Sequence, residues 1–171
     1  MISSTPEQAH VIERLAGVAA GSPIADALAK RAEIMELSQA SHDAMLTPRA
    51  PGGLSHGLRA VLAARMAAWN GDEALAAHYH VLLDRSGERD VFADAASPTV
   101  GFEEFADRQL RAILRHADIL SKAPREATRR DIEALKAAGV GEADIVRLAE
   151  LTAFVNYQIR VMAGLRLLAA S

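Results

Sequence analysis

The last stretch of the chain, GEADIVRLAELTAFVNYQIRVMAGLRLL, runs from Gly141 to Leu168 without a proline and with apolar residues on most faces of a helix. No other feature constrains the fold as much. A helix that is apolar nearly all round has to be enclosed, because a surface helix keeps a polar side. The remaining sequence must supply the enclosure, and its composition allows it. Alanine and leucine dominate, β-branched runs are absent, and apolar residues recur at three and four. The spacing predicts an all-α fold, a helical bundle of roughly six to seven helices in one domain over residues 1–171, with 142–168 as its buried centre.

Boundary signals divide the chain. Thr5, Pro6 and Gln8 form a capping-box start for a first helix that ends near Gly21. Ser22-Pro23 opens a second, running to Leu46, with Ile24, Leu28, Ile34, Leu37 and Met45 as its expected buried stripe. TPRAPGG, residues 47–53, is a loop by composition. A third helix runs from Ser55 to Asn70, and a fourth from an Asp72 cap to Arg85. Residues 86–101 are polar and irregular, and a helix is expected over Phe102–Leu120. Pro124 breaks the pattern, Thr128-x-x-Asp131 restarts it, and Gly139-Val140-Gly141 precedes the terminal helix.

A weak internal repeat overlies this plan. The shift that pairs Gly53 with Gly139 also pairs Asn70 with Asn156. It implies either two related helical hairpins, each a glycine turn, a long helix, a polar break and more helix, or a coincidence between amphipathic helices.

Composition removes several functions. The formal net charge is −3 and aromatics are scarce, so there is neither a basic field nor a stacking surface for nucleic acid. There is no cysteine, hence no disulfide, thiolate ligand or thiol nucleophile. The N-terminus has no apolar core of a signal peptide, and no apolar run approaches the ~20 residues of a membrane span. A cytoplasmic protein with no membrane or nucleic-acid partner is the expectation.

Two clusters carry polar chemistry. In WNGDEALAAHYH, residues 69–80, Asp72, Leu75 and Tyr79 share one helical face, and His78 lies beside Leu75 and Leu82. His78 and His80 are two residues apart and point in different directions, so they do not form the i, i+4 ligand pair of a helical zinc site. No metal and no cofactor are expected. His78, Tyr79 and Asp72 are the candidate catalytic residues, with His78 as a general acid or base. An interfacial structural histidine is the alternative for His78, and an exposed one for His80. In the second cluster Thr152, Asn156 and Arg160 form a polar stripe four residues apart on the terminal helix. That stripe reads as a structural network or as an anion- or carbonyl-binding wall. Asn156, Arg160 and His80 are the candidate substrate-binding residues. PGGLSHG, residues 51–57, lacks a phosphate-loop pattern and is a turn capped by Ser55.

LSHGLRAVLAARMAAWNGDEALAAHY, followed by LKAAGVGEADIVRLAELTAFVNYQIRVMAGL, resembles the carboxymuconolactone decarboxylase and alkylhydroperoxidase D-like superfamily. The second stretch is most similar to its peroxidase-related branch, through a glycine turn, a buried helix and an Asn-Tyr-Gln-x-Arg run. The resemblance covers residues 25–168 in pattern and is most specific over 53–80 and 135–165. It implies an all-helical fold and a homo-oligomer, a trimer or hexamer. It also implies a peroxidase site of glutamate, CxxC and histidine. On this chain those positions fall on Ala60, Asp72, Leu75 and Tyr79, with His78 one residue early. Every position departs from the pattern, and thiol peroxidase chemistry needs a sulfur that is missing. Two functions follow. One is binding of, or acid/base chemistry on, a small organic ligand in a pocket near residues 72–80. The other is a non-catalytic oligomeric scaffold or partner of a catalytic paralogue.

Overall fold

The computed structural model describes residues 10–170, which form nine α-helices and three short 3₁₀ turns. The order is α1 (Val11–Ala16), α2 (Pro23–Ala29), α3 (Ala32–Leu46), α4 (His56–Trp69), α5 (Glu73–Ser86), α6 (Arg89–Phe92), α7 (Arg108–Lys122), α8 (Arg129–Ala137) and α9 (Glu142–Ala170). The fold is an all-α bundle, as the periodicity requires. The expected cap at Thr5, Pro6 and Gln8 lies outside the described residues.

α4 and α5 form an antiparallel hairpin at the heart of the molecule. Ser55 caps α4 by accepting from the Leu58 amide, and Asp72 caps α5 by accepting from the Leu75 amide. Gly71, at φ +68°, makes the reversal between them, a backbone conformation that side chains with a Cβ rarely adopt. Leu58 to Ala67 are all buried, so α4 rather than α9 is the most enclosed helix of the single chain. α9 buries Ile145, Leu148, Leu151, Val155, Ile159 and Met162, but leaves Val146, Tyr157, Leu167 and Leu168 exposed. The expectation that 142–168 is the buried centre is corrected in the single chain, where α4 holds that place and α9 keeps these four side chains at the surface.

Three boundaries differ from the sequence reading. α1 stops at Ala16, not near Gly21, because Gly17 takes the left-handed conformation at φ +73°. The helix expected over 22–46 is divided at Lys30 and Arg31, where Arg31 leaves helical geometry at φ −127°, ψ 32°. α3 then buries Met35, Ser38, His42 and Leu46, leaving Ile34 and Leu37 about half exposed at 48% and 57%. α7 starts at Arg108, not Phe102, because Asp107 caps it by accepting from the Leu110 amide. Finally, the repeat survives in side chains but not in backbone. Asn70 and Asn156 each donate from Nδ2 to the carbonyl four residues earlier, at 2.8 and 2.9 Å. The chain reverses after Asn70, whereas α9 runs straight through Asn156.

Buried polar groups lock the helices together. Arg65 is 1% exposed and forks onto both carboxylate oxygens of Asp118 at 2.8 Å. Its remaining nitrogen donates to the Ser97 and Ala95 carbonyls, and Trp69 Nε1 also donates to Asp118. Every side-chain nitrogen and oxygen of this cluster has a partner, as a buried charge requires. Arg59 plays the same part for the 47–55 loop, donating to the carbonyls of Met45, Pro51 and Leu54. None of the helices among the described residues is long and apolar enough to cross a membrane.

Candidate active site

α5 presents two faces with opposite chemistry. The inward face carries Asp72, Leu75, Tyr79 and Leu83, all buried. Asp72 receives a bidentate pair from Arg166 of α9, at 2.8 and 3.0 Å, while also capping its own helix. Tyr79 donates from its hydroxyl to Gln158 Oε1 at 2.8 Å in the interior, and burial pushes its phenol far above the ordinary range. Asp72 and Tyr79 were expected at the centre of a pocket with His78. Instead they tie α5 to α9, and neither lines a cavity beside His78.

The flanking face carries His78, Leu82 and Arg85, which open onto a cavity of about 390 Å³ between α1, α3, α4 and α5. Opposite them stand Gln39, His42 and Asp43 of α3 and His56 of α4. Of the predicted catalytic residues, only His78 faces this space, and α3 supplies its partner. His42 Nε2 lies 3.0 Å from His78 Nε2, and His42 Nδ1 lies 3.1 Å from Asp43 Oδ1. The His42 ring is buried, with Tyr79 stacked on one side at 6.3 Å and Phe154 edge-on at 6.3 Å.

This geometry fixes the protons. Two neutral imidazoles that meet nitrogen to nitrogen share one hydrogen. A carboxylate can only accept, so Asp43 places a proton on His42 Nδ1. His42 Nε2 is then the bare nitrogen, and His78 Nε2 donates to it. The lone pair of His78 is left on Nδ1, which takes part in no hydrogen bond among the described residues. Both rings stay neutral near pH 7. Burial lowers the pKa of His42 against the opposing pull of Asp43. Burial, then the neighbouring His42 and the cations Arg14 and Arg85, lowers that of His78 to about 4.

A second cavity, about 460 Å³, adjoins the other flank of His78 and is walled by Arg14, Leu15, Ala77, Val81 and Arg85. His78 and Arg85 therefore border both spaces. The predicted binding residues lie elsewhere. Asn156 and Arg160 line a separate depression with Thr152, Leu120 and Pro124, and Arg160 donates back to the Asn156 carbonyl. His80 lines none of these three cavities.

Among the described residues no group of three or more His, Asp or Glu side chains is arranged to hold a metal ion. His42 was missed in the sequence because it lies on a face of α3 that carries polar Ser38 beside Met35 and Leu46. The available signal was spacing: Met35, Ser38, His42 and Leu46 recur at three and four.

No family model matches the chain, and no curated protein matches it either. Among solved structures, it is similar to an uncharacterized peroxidase-related protein from Silicibacter sp. TM1040. The two share 22% sequence identity at a TM-score of 0.64, over 78% of this chain and 68% of that one. The likeness is one of fold alone, an all-α bundle that this chain builds without cysteine.

Proposed function

We propose that this chain is a cysteine-free carboxymuconolactone decarboxylase/alkylhydroperoxidase-like protein. It binds, and performs acid/base chemistry on, a small organic substrate in the cavity beside α5. The observation that carries this reading is the Asp43–His42–His78 line of hydrogen bonds ending at an imidazole that lines a cavity and whose Nδ1 takes no hydrogen bond among the described residues. A relay built only for stability has no reason to leave its terminal nitrogen unpartnered beside a space large enough for a ligand. His78 is the general base, accepting a substrate proton at Nδ1 and passing its Nε2 proton to His42 Nε2. The positive charge then rests on His42 beside the Asp43 carboxylate, which is where the opposite charge stabilises it. Arg85, bordering both cavities, supplies a guanidinium for an anionic group of the substrate. Asp72 and Tyr79 hold α5 in place, and Asn156, Arg160 and His80 stand apart from the reaction. The protein is cytoplasmic and assembles as a trimer or hexamer.

Native mass spectrometry of gently purified protein tests this, with His78→Ala alongside. The expected result is an oligomer carrying a small organic adduct that His78→Ala loses while its melting temperature holds. An adduct retained by His78→Ala, or a wild-type protein that binds none of a panel of small organic acids, overturns it.

A further inference from the structure

The strongest concentration of unbalanced charge lies away from the histidines, in a groove between α7 and α8. Arg108, Arg111 and Arg115 recur at three and four along one face of α7, and Arg130 approaches from α8. Together they edge a cavity of about 480 Å³, within the size range of small-molecule sites. Its floor is made of small side chains, Ala112, Ala134, Ala137 and Ala138.

The single carboxylate in the groove is already spent. Asp131 accepts from Arg115 on one oxygen and from the Thr128 amide and hydroxyl on the other. Those bonds hold its carboxyl down at about 2, well below the usual carboxylate range. Arg108 and Arg111 reach only backbone carbonyls, of Ala137 and Phe105, and these leave their charge uncompensated. Arg130 has no acidic partner among the described residues, since the nearby pair of α8 joins Arg129 to Glu133. Four guanidiniums thus face one carboxylate in a chain whose net charge is −3. Arg111 and Arg115 are partly buried while Arg108 and Arg130 are exposed, and like charges gathered along one groove favour the entry of an anion.

We infer that this groove is a binding site for a small polyanion carrying at least two phosphate or carboxylate groups. Each guanidinium offers a planar fork matched to either group. Arg108 is held at the Ala137 carbonyl and Arg115 at Asp131, and their backbones lie about 10 Å apart along the helix axis at ~1.5 Å per residue, so the groove presents guanidiniums to more than one anionic group. The alanine floor leaves room for the body of the ligand between the anionic ends. The groove shares no residue with the histidine cavity, so this inference does not depend on the function proposed for that cavity.

Isothermal titration of the full chain at physiological salt, with pyrophosphate, inorganic phosphate and citrate as probes, tests it. Saturable binding of pyrophosphate or citrate that is tighter than that of inorganic phosphate is expected. The order of the two polyanions tells whether the ligand class is phosphate or carboxylate. Arg111→Gln and Arg130→Gln should each weaken that binding by about tenfold, the loss of one charge-assisted contact. Arg125→Gln, an arginine outside the groove, should leave it unchanged. Arg130 is exposed and has no acidic partner among the described residues, so its replacement keeps the test valid if Arg111→Gln fails to fold. No saturable binding, or equal weakening by Arg125→Gln, overturns the site. So does a single-stranded oligonucleotide that binds the groove more tightly than pyrophosphate, because the partner would then be a nucleic acid.

Discussion

Tyr79 and His78 are neighbours in sequence and opposites in circumstance. Tyr79 is fully buried with its one polar atom bonded to Gln158, while His78 stands on a cavity wall with one nitrogen bonded and the other free. The same contrast divides the molecule. On one side are closed clusters, Arg65–Asp118–Trp69 and Asp72–Arg166, in which the carboxylate oxygens are all bonded. On the other is the open line from Asp43 through His42 to His78. Closed clusters hold the helices together; the open one has something left to bind.

Breaking a closed cluster should give the largest effect. Arg65→Leu strands the Asp118 carboxylate in a buried site, 8% exposed, with only Trp69 to answer it. The cost should be about 3–5 kcal/mol of folding stability, because an uncompensated buried charge remains. Urea denaturation reads it directly. A loss below about 1 kcal/mol would mean that the cluster opens to water and belongs with the exposed pairs.

Tyr79→Phe sharpens the comparison at one atom. It removes the donor to Gln158 Oε1, and Gln158 Nε2 already has no partner. Stability should fall by about 1–3 kcal/mol, the cost of an unsatisfied buried amide. Ligand binding at the His78 cavity should survive. If Tyr79→Phe abolished binding and left stability intact, the phenol would be part of the site after all.

These cases also mark how much was legible in the sequence. The hairpin of α4 and α5 was, because Ser55, Asp72 and Gly71 are local signals whose meaning depends on adjacent residues alone. His78 was, because an ionisable side chain beside Leu75 and Leu82 stands out on a helical face. His42 was not, since hydrophobic counting favoured Ile34 and Leu37, and the face α3 buries is half polar. What turns that face inward is the pairing with His78 and the bond between Ser38 and Tyr157, and both partners lie far along the chain. Arg65 was missed for the same reason, because its partner Asp118 sits on another helix.

The histidine pair predicts a pH dependence of definite sign. In the unfolded chain both rings titrate near 6.5, while in the folded protein His78 titrates near 4 and His42 is lowered as well. As pH falls between those values the unfolded state binds protons that the folded state refuses. Stability is therefore full above about 6.5 and declines towards about 4. Urea midpoints measured from pH 7.5 to 4.5 should show this slope, and His78→Gln should flatten part of it. An unchanged slope in His78→Gln would assign the titration to other groups, His116 among them, whose pKa is also lowered by burial.

Asp43→Asn should have the smallest effect on stability and the most specific one on protons. The Asp43 side chain is 64% exposed, so its contact with His42 contributes about 0–1 kcal/mol. A carboxylate, however, permits only one proton arrangement, whereas an amide can turn its NH₂ towards His42 Nδ1. In that orientation His42 must donate from Nε2, and His78 Nε2 becomes the acceptor. The free nitrogen of His78 then carries the hydrogen, and the base becomes an acid. Nitrogen-15 spectra of the histidine rings should show His42 as the Nδ1–H tautomer in the wild type and a mixture in Asp43→Asn, with the melting temperature nearly unchanged. Identical tautomers in the two proteins would mean that Asp43 does not direct the relay, and His78 would have to be oriented from the cavity side instead.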